Sequence, residues 1–378
     1  MTGYKTVYMR GGTSKGCIFL ERDLPADKNL WDDIFLDVMG SPDPKQIDGM
    51  GGTVSSNNKI VVVWPSGDPK ADVEYKVGQV IAGRRQIDWK SNCGNMTAAV
   101  GPFAIEAGLV PAIAPATTVR LLNRNTDSFI HVETPVSAGR FEPEGNCAIA
   151  GVDGTGSELK VNFLSPAGAK TGVLLPTGRA KDVLDIPGFG PLEATILDVS
   201  NPLVIVRAQD IGLRGDEMPD EINSNRQVSD LLEAIRGTAC CRMGFAVDLE
   251  SARLSSPAVP KVGFFAPPMD YTDLSDAAVP AYTMDICARV VSVFKLHKAV
   301  PLTSASAMAV AARVPGSLVW ELLQGLEAES VRIGHPSGVM TVYPHVETHE
   351  GTLEVPGVAV ARTARVIMEG TVYVRGRT

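Results

Sequence analysis

Basic charge is what this 378-residue chain has too little of: 35 Lys and Arg stand against 43 Asp and Glu, a formal net charge of −8. Nucleic acid and anionic membrane both demand a basic footprint, so neither is expected as a partner. No apolar run reaches the roughly 18 residues of a membrane span. The opening MTGYKTVYMRGG also lacks the apolar core of a signal peptide. These absences lead to the expectation of a soluble, cytoplasmic protein. Six cysteines (Cys17, Cys93, Cys147, Cys240, Cys241 and Cys287) form no CxxC pair, and the five histidines include no HExxH. Neither a disulfide framework nor a zinc site is indicated, and no metal is expected.

What is present is ordinary globular composition, 44% hydrophobic and 21% charged, in a chain long enough for about two domains. One stretch stands out, KSNCGNMTAAVGPFAIEAGLVP from Lys90 to Pro111. Between Met96 and Ala107 its one charge is Glu106, and apolar and small residues run round the whole 3.6-residue repeat, the pattern of a helix buried on every side. Ser91 and Asn92 are good N-cap residues, Gly108 suits the C′ position and Pro111 lies just beyond. The helix therefore begins within a residue or two of Cys93. There the dipole presents roughly +0.5 charge, which favours a thiolate over a thiol. Asn92, Gly94 and Asn95 supply donors and close backbone approach for an anionic ligand. The competing reading is a buried cysteine that packs as a small hydrophobe.

Along the chain, the first 90 residues read as strands and turns interrupted by one helix at about Lys28 to Met39. TTVRLLN, FIHVETPV, LKVNFLS and GVLL read as further strands after the Cys93 helix. From about Asp185 the order restarts: LEATILDVS and PLVIVRA, a helix near Val228 to Gly237, KVGFFA and YTMDICARVV. Next comes a second apolar helix opening on small polar residues, TSASAMAVAARV, which Pro315 ends or kinks. The repeated order predicts a pseudo-duplicated α+β fold, residues 1–185 around the Cys93 helix and 186–378 around the Ser304 helix. Each half then wraps a curved sheet round one central helix, and the C-terminal strand is free to return to the first half. If both helix N-termini open on the cleft between the halves, the active site lies there and suits a dianion.

Three loops add candidates. Met9 to Gly16, MRGGTSKG, joins two strands and is no P-loop, because it lacks the Gly-Lys-Ser/Thr order and a strand follows it. Its hydroxyls, Thr13 and Ser14, with its amides and lysine, suit an oxyanion. GMGGTVSSNNK (Gly49–Lys59) precedes a strand, against a dinucleotide fingerprint. Lys59 at the head of IVVVW is either a partly desolvated proton carrier or a strand-edge lysine in water. In GHPSG (Gly334–Gly338), Ser337 and Gly338 rank ahead of His335 as ligand contacts. Arg289, inside an apolar strand, calls for an anionic partner, whether substrate or an internal Asp or Glu.

MRGGTSKG, the loop ending in Lys59, SNCGNM, LLPTG at 174–178 and HPSG together resemble the PrpF family over nearly the whole chain. That family includes 2-methylaconitate cis-trans isomerases, 3-methylitaconate Δ-isomerases, aconitate isomerases and 4-oxalomesaconate tautomerases. The resemblance implies a diaminopimelate-epimerase-like fold and an isomerase without cofactors, shifting a proton across a three-carbon allylic unit of a di- or tricarboxylate. It assigns Cys93 and Lys59 as the catalytic pair. Amino-acid racemases of that fold carry a second cysteine at the other central helix. Here that region reads Leu302-Thr303-Ser304-Ala305-Ser306-Ala307-Met308, with no thiol, which disfavours two-thiol stereoinversion; its serines are expected to bind a carboxylate, and Ser306 and Met308 are the candidate substrate contacts. The rival readings are an amino-acid racemase or epimerase, and a non-catalytic accessory protein for an aconitase-type enzyme. A homo-oligomer is left open.

Overall fold

The computed structural model describes residues 1–89, 93–324 and 327–375. They form two compact units, Met1–Leu164 with Ala361–Thr378, and Ser165–Val360.

In the first unit, β1 (Thr2–Gly11) and β2 (Ser14–Leu20) form a hairpin turned at Gly12, whose φ of +51° suits a tight turn. Helix α1 (Trp31–Met39) follows, then β3 (Lys59–Pro65) and β4 (Val73–Val80). After the short β5 (Ile87–Asp88) comes α2 (Gly94–Glu106), then β6 (Ala116–Asn123), β7 (Ser128–Ser137), β8 (Arg140–Phe141) and β9 (Leu159–Leu164). The last strand, Ala364–Val374, lies antiparallel along all of β1.

The alternation of each strand decides which way its side chains point. Val7 and Met9 of β1, Ile18 and Leu20 of β2, Val61 and Val63 of β3, and Val73, Tyr75 and Val77 of β4 share a core with α2. The residues between them, Tyr8, Cys17, Phe19, Ile60 and Val62, pack instead with Trp31, Phe35 and Met39 of α1. Every residue of α2 from Met96 to Ile105 is buried. Its small residues permit this: a Cβ on Gly101 would lie 2.8 Å from both Thr134 Oγ1 and Val132 Cγ1 of β7.

Gly16 plays a similar part across the parallel β2–β3 pair, where it faces Lys59. A Cβ there would stand 2.0 Å from the Lys59 carbonyl oxygen. Gly16→Ala is therefore expected to cost about 1–3 kcal/mol by forcing the strands apart, read as a lower midpoint in thermal or urea unfolding.

The second unit repeats the ladder. Gly190–Val199 and Asn201–Arg207 are antiparallel, the latter runs parallel to Lys261–Ala266, and antiparallel Ile286–Ser292 follows. Val331–His335 is parallel to Ile286–Ser292 and antiparallel to Gly338–His349. In the first unit β1, β2, β3, β4, β6 and β7 are joined in the same sequence of senses. The central helix is Leu302–Ala311, buried from Ser304 to Ala311, and it falls at the place in the order that α2 holds. Helix Arg226–Arg242 covers the other sheet face. The fold is the α+β class expected.

Two expectations need correction. The units divide at Leu164/Ser165 and not at 185/186, because Asp182–Ile186 pairs with Gly190–Val199 and the side chains of Leu174 and Leu184 fill second-unit cores. GVLL (172–175) is not a strand. The carboxylate of Asp198 accepts hydrogen bonds from the backbone N–H groups of Lys170 and Thr171, both at 2.7 Å, and from the Thr171 hydroxyl at 2.9 Å. Those bonds turn the chain just before it. Among the described residues no helix is long and apolar enough to cross a membrane, and no group of three or more His, Cys, Asp or Glu is placed to hold a metal ion.

Candidate active site

Cys93 is itself the N-cap of α2, with extended backbone, and Gly94 opens the helix. Ser91 and Asn92, the caps expected from the sequence, lie outside the described residues, as does the proposed contact of Asn92. The Cys93 carbonyl accepts the Thr97 N–H at 2.9 Å and the Thr97 hydroxyl at 3.1 Å. Its side chain is half-buried at the rim of the core, not sealed within it.

The β1–β2 turn seats on this helix end. Cys93 Sγ lies 3.9 Å from Ser14 Oγ, and Asn95 Nδ2 donates to Thr13 Oγ1 at 2.9 Å. A Cβ on Gly11 would come within 2.4 Å of the Asn95 carbonyl oxygen, and one on Gly12 within 2.2 Å of Asn95 Oδ1. The glycine pair of MRGGTSKG is thus what lets two hydroxyls reach the first turn of α2. Lys15 points to the opposite sheet face, 5.9 Å above the Tyr8 ring. Lys15, expected to share an oxyanion with the loop's hydroxyls and amides, is thus turned away from them.

Lys59 reaches the same end of the same face. It begins the row Lys59–Val61–Val63 whose later members pack against α2, and it pairs with Gly16 on one side and Gln79 on the other. Lys59 Nζ donates to Gln79 Oε1. The Gln79 amide is held in that sense because its Nε2 donates to the carbonyls of Ser55 and Asn58, both at 3.2 Å, and of Val80 at 2.9 Å. Asn58, fully buried, fastens the preceding loop by bonding Gly52 N at 2.8 Å and Gly52 O at 2.6 Å. Gln79 and Asn58 were not singled out from the sequence. The signal for Gln79 was available, a polar side chain continuing the apolar row Val73–Tyr75–Val77.

Cys93 and two hydroxyls meet at one helix N-terminus, and Lys59 heads the neighbouring strand row that continues beneath the same helix. A model of the PrpF family, described as PrpF protein, matches residues 1–375. The chain belongs to the PrpF family. It is 40% identical over 370 residues to a 3-methylitaconate isomerase of Eubacterium barkeri, covering 97% of this chain and 96% of that one. It is 39% identical over 380 residues to a 2-methyl-aconitate isomerase of Shewanella oneidensis, again covering 97% and 96%. A solved structure of methylitaconate-delta-isomerase matches with a TM-score of 0.90 at 40% identity, covering 99% of this chain and 96% of that one.

In this PrpF protein the second-unit residues read from the sequence have mostly structural surroundings. Met308 is fully buried in the core, its methyl filling the space a Cβ on Gly263 would need. It is a packing residue, which corrects its expected substrate contact. Ser306 is also buried, at 2% exposure. Ser337 donates its hydroxyl to the Lys298 carbonyl at 2.6 Å and its N–H to His335 Nδ1 at 3.1 Å, while the Gly338 carbonyl accepts the Tyr271 hydroxyl at 2.8 Å.

Arg289 is fully buried, but the hydrogen bonds of its guanidinium go to backbone: Glu217 O at 2.7 Å, Ala288 O at 2.8 Å and Asp216 O at 2.9 Å. It also lies over the Tyr271 ring at 5.1 Å. Carbonyls replace the carboxylate expected for it. Arg289→Met should therefore cost about 2–4 kcal/mol of stability by stranding those acceptors, measured as a lowered urea midpoint, with little change in KM.

Proposed function

We propose that this PrpF protein isomerises an unsaturated di- or tricarboxylic acid, such as methylitaconate, methylaconitate or aconitate, by moving an allylic proton between Cys93 and Lys59. A base takes the proton from the allylic carbon, and the electron pair spreads through the double bond onto a carboxylate as a dienolate. A proton then returns at the far carbon, so the double bond migrates or changes geometry and the formula is unchanged. Such carbon acids are weak, so the main demand on the protein is to stabilise the dienolate, for which one preorganised donor is worth about 3 kcal/mol. The α2 N-terminus, Thr13, Ser14 and Asn95 supply donors for that charge.

The observation that carries this reading is the convergence of Cys93, Ser14 and Lys59 on one end of the α2-covered sheet face. The names of the relatives support it. An amino-acid racemase is disfavoured by the opening of the second central helix, whose N-cap is Pro301 and whose first turn has no thiol. Proton NMR in D₂O with a panel of unsaturated acids tests the proposal: vinyl signals should move and deuterium should enter an allylic carbon. Exchange at an amino-acid α-carbon without double-bond movement would favour a racemase, and no change with any acid would favour the accessory role.

A further inference from the structure

Three arginines of the described chain are buried, and two have their charge answered. Arg236 is paired with Glu233, Nε and Nη2 each meeting a carboxylate oxygen at 2.7 Å, and it also donates to the Ser256 carbonyl. Arg289 has its three carbonyls. Arg362, 8% exposed, donates from Nη1 to the Ala361 carbonyl at 2.8 Å, while its buried Nε has no hydrogen-bond partner. No ion pair of Arg362 is found among the described residues. Desolvating a cation without an opposing charge is costly, and such a group is unusual unless something outside the chain answers it.

Its neighbours place it at the site. Thr363 is bonded to the β1–β2 turn: its carbonyl accepts the Gly12 N–H at 2.9 Å and Arg10 Nη1 at 3.0 Å, and Arg10 also donates to the Thr363 hydroxyl at 2.9 Å. That turn carries Ser14, which faces Cys93. Burial pushes the Arg362 guanidinium down to about 10, while the nearby sulfurs of Cys147 and Cys93 push it up, so it is still a cation at neutral pH. Cys147 does not answer the charge as a thiolate: burial, then Glu158, keep its thiol raised against the lowering pull of Arg362.

We propose that Arg362 is a substrate ligand: the unsatisfied edge of its buried guanidinium receives one carboxylate of the polyacid seated at the α2 N-terminus beside Cys93. The proposal rests on the isomerase reading for the identity of that anion. It gives the acidic protein a fixed cation where the dienolate charge gathers, and arginine's planar fork suits a carboxylate better than an ammonium does.

The test is calorimetric titration of the full chain with tricarballylate, a saturated tricarboxylate that cannot be isomerised. Against the wild type, Arg362→Met should bind about 10- to 100-fold more weakly. Its melting temperature should be unchanged or higher, since an unpaired buried cation has been replaced by hydrocarbon. A structural arginine would instead lower the melting temperature and leave the affinity of the folded fraction alone. Should Arg362→Met not fold, Arg362→Lys decides by the same titration, with about tenfold weaker binding expected from the lost fork. Wild-type affinity in whichever variant folds, or no binding of tricarballylate to the wild type, overturns the proposal. Turnover separates it from the isomerase reading: wild-type turnover with unaltered variant affinity removes Arg362 alone. Weakened variant affinity with no turnover of any unsaturated acid removes the isomerase and keeps the anion site.

Discussion

Cys93→Ala is expected to lower turnover by about 10³-fold or more while leaving tricarballylate affinity within a few-fold of wild type. The magnitude follows from the worth of a positioned proton carrier, typically 10²–10⁴-fold. The split between rate and binding follows from geometry. Substrate carboxylates are assigned to Thr13, Ser14, Asn95, Arg362 and backbone donors, none of which needs the sulfur. Folding should survive, because Cys93 contributes its carbonyl to the helix and makes no side-chain cap hydrogen bond. Cys93→Ser is the sharper variant. It keeps a polar atom near Ser14 but replaces a good proton acceptor with a poor one, so its rate should fall nearly as far. Single-turnover NMR with each variant and a calorimetric titration check the prediction. Full activity in both would remove Cys93 from the mechanism.

How much of this was legible in the sequence depends on whether one element or two were needed to see it. The burial of α2 is written in its own composition, since a helix with one charge between Met96 and Ala107 has no solvent face. The duplicated order of strands and helices was readable for the same local reason. The meeting of the Thr13–Ser14 turn with Asn95 was not, because what enforces it is the absence of a Cβ at Gly11 and Gly12 against a helix some 80 residues away. Arg289 shows the limit from the other side. An arginine in an apolar strand does need acceptors, but sequence does not distinguish a carboxylate from carbonyls on a neighbouring loop. Met308 was read as a ligand because a helix that is apolar all round gives no cue to which residue lines a site. Arg362 sits in AVARTAR beside a second arginine, and nothing in the spacing marks it as the buried one.

Lys59→Met should lower turnover by about 10²–10⁴-fold, and the way it fails will assign the order of proton transfer that geometry leaves open. Methionine keeps the length and the packing of the Lys59–Val61–Val63 row, so the fold should hold. Gln79 would lose one acceptor contact while keeping its three carbonyl partners. If Cys93 is the base, Lys59→Met still removes the allylic proton and exchanges it with solvent but cannot deliver one to the far carbon. Deuterium then enters recovered substrate without isomerisation, whereas Cys93→Ala exchanges nothing. If Lys59 is the base, the two variants trade behaviours. Gln79→Leu should reproduce a weaker form of the Lys59 defect, because the amine remains but loses the oxygen that aims it along the sheet face. Normal turnover in Lys59→Met would leave Cys93 to take and return the proton alone, and the row position of Lys59 would then be a strand-edge accident.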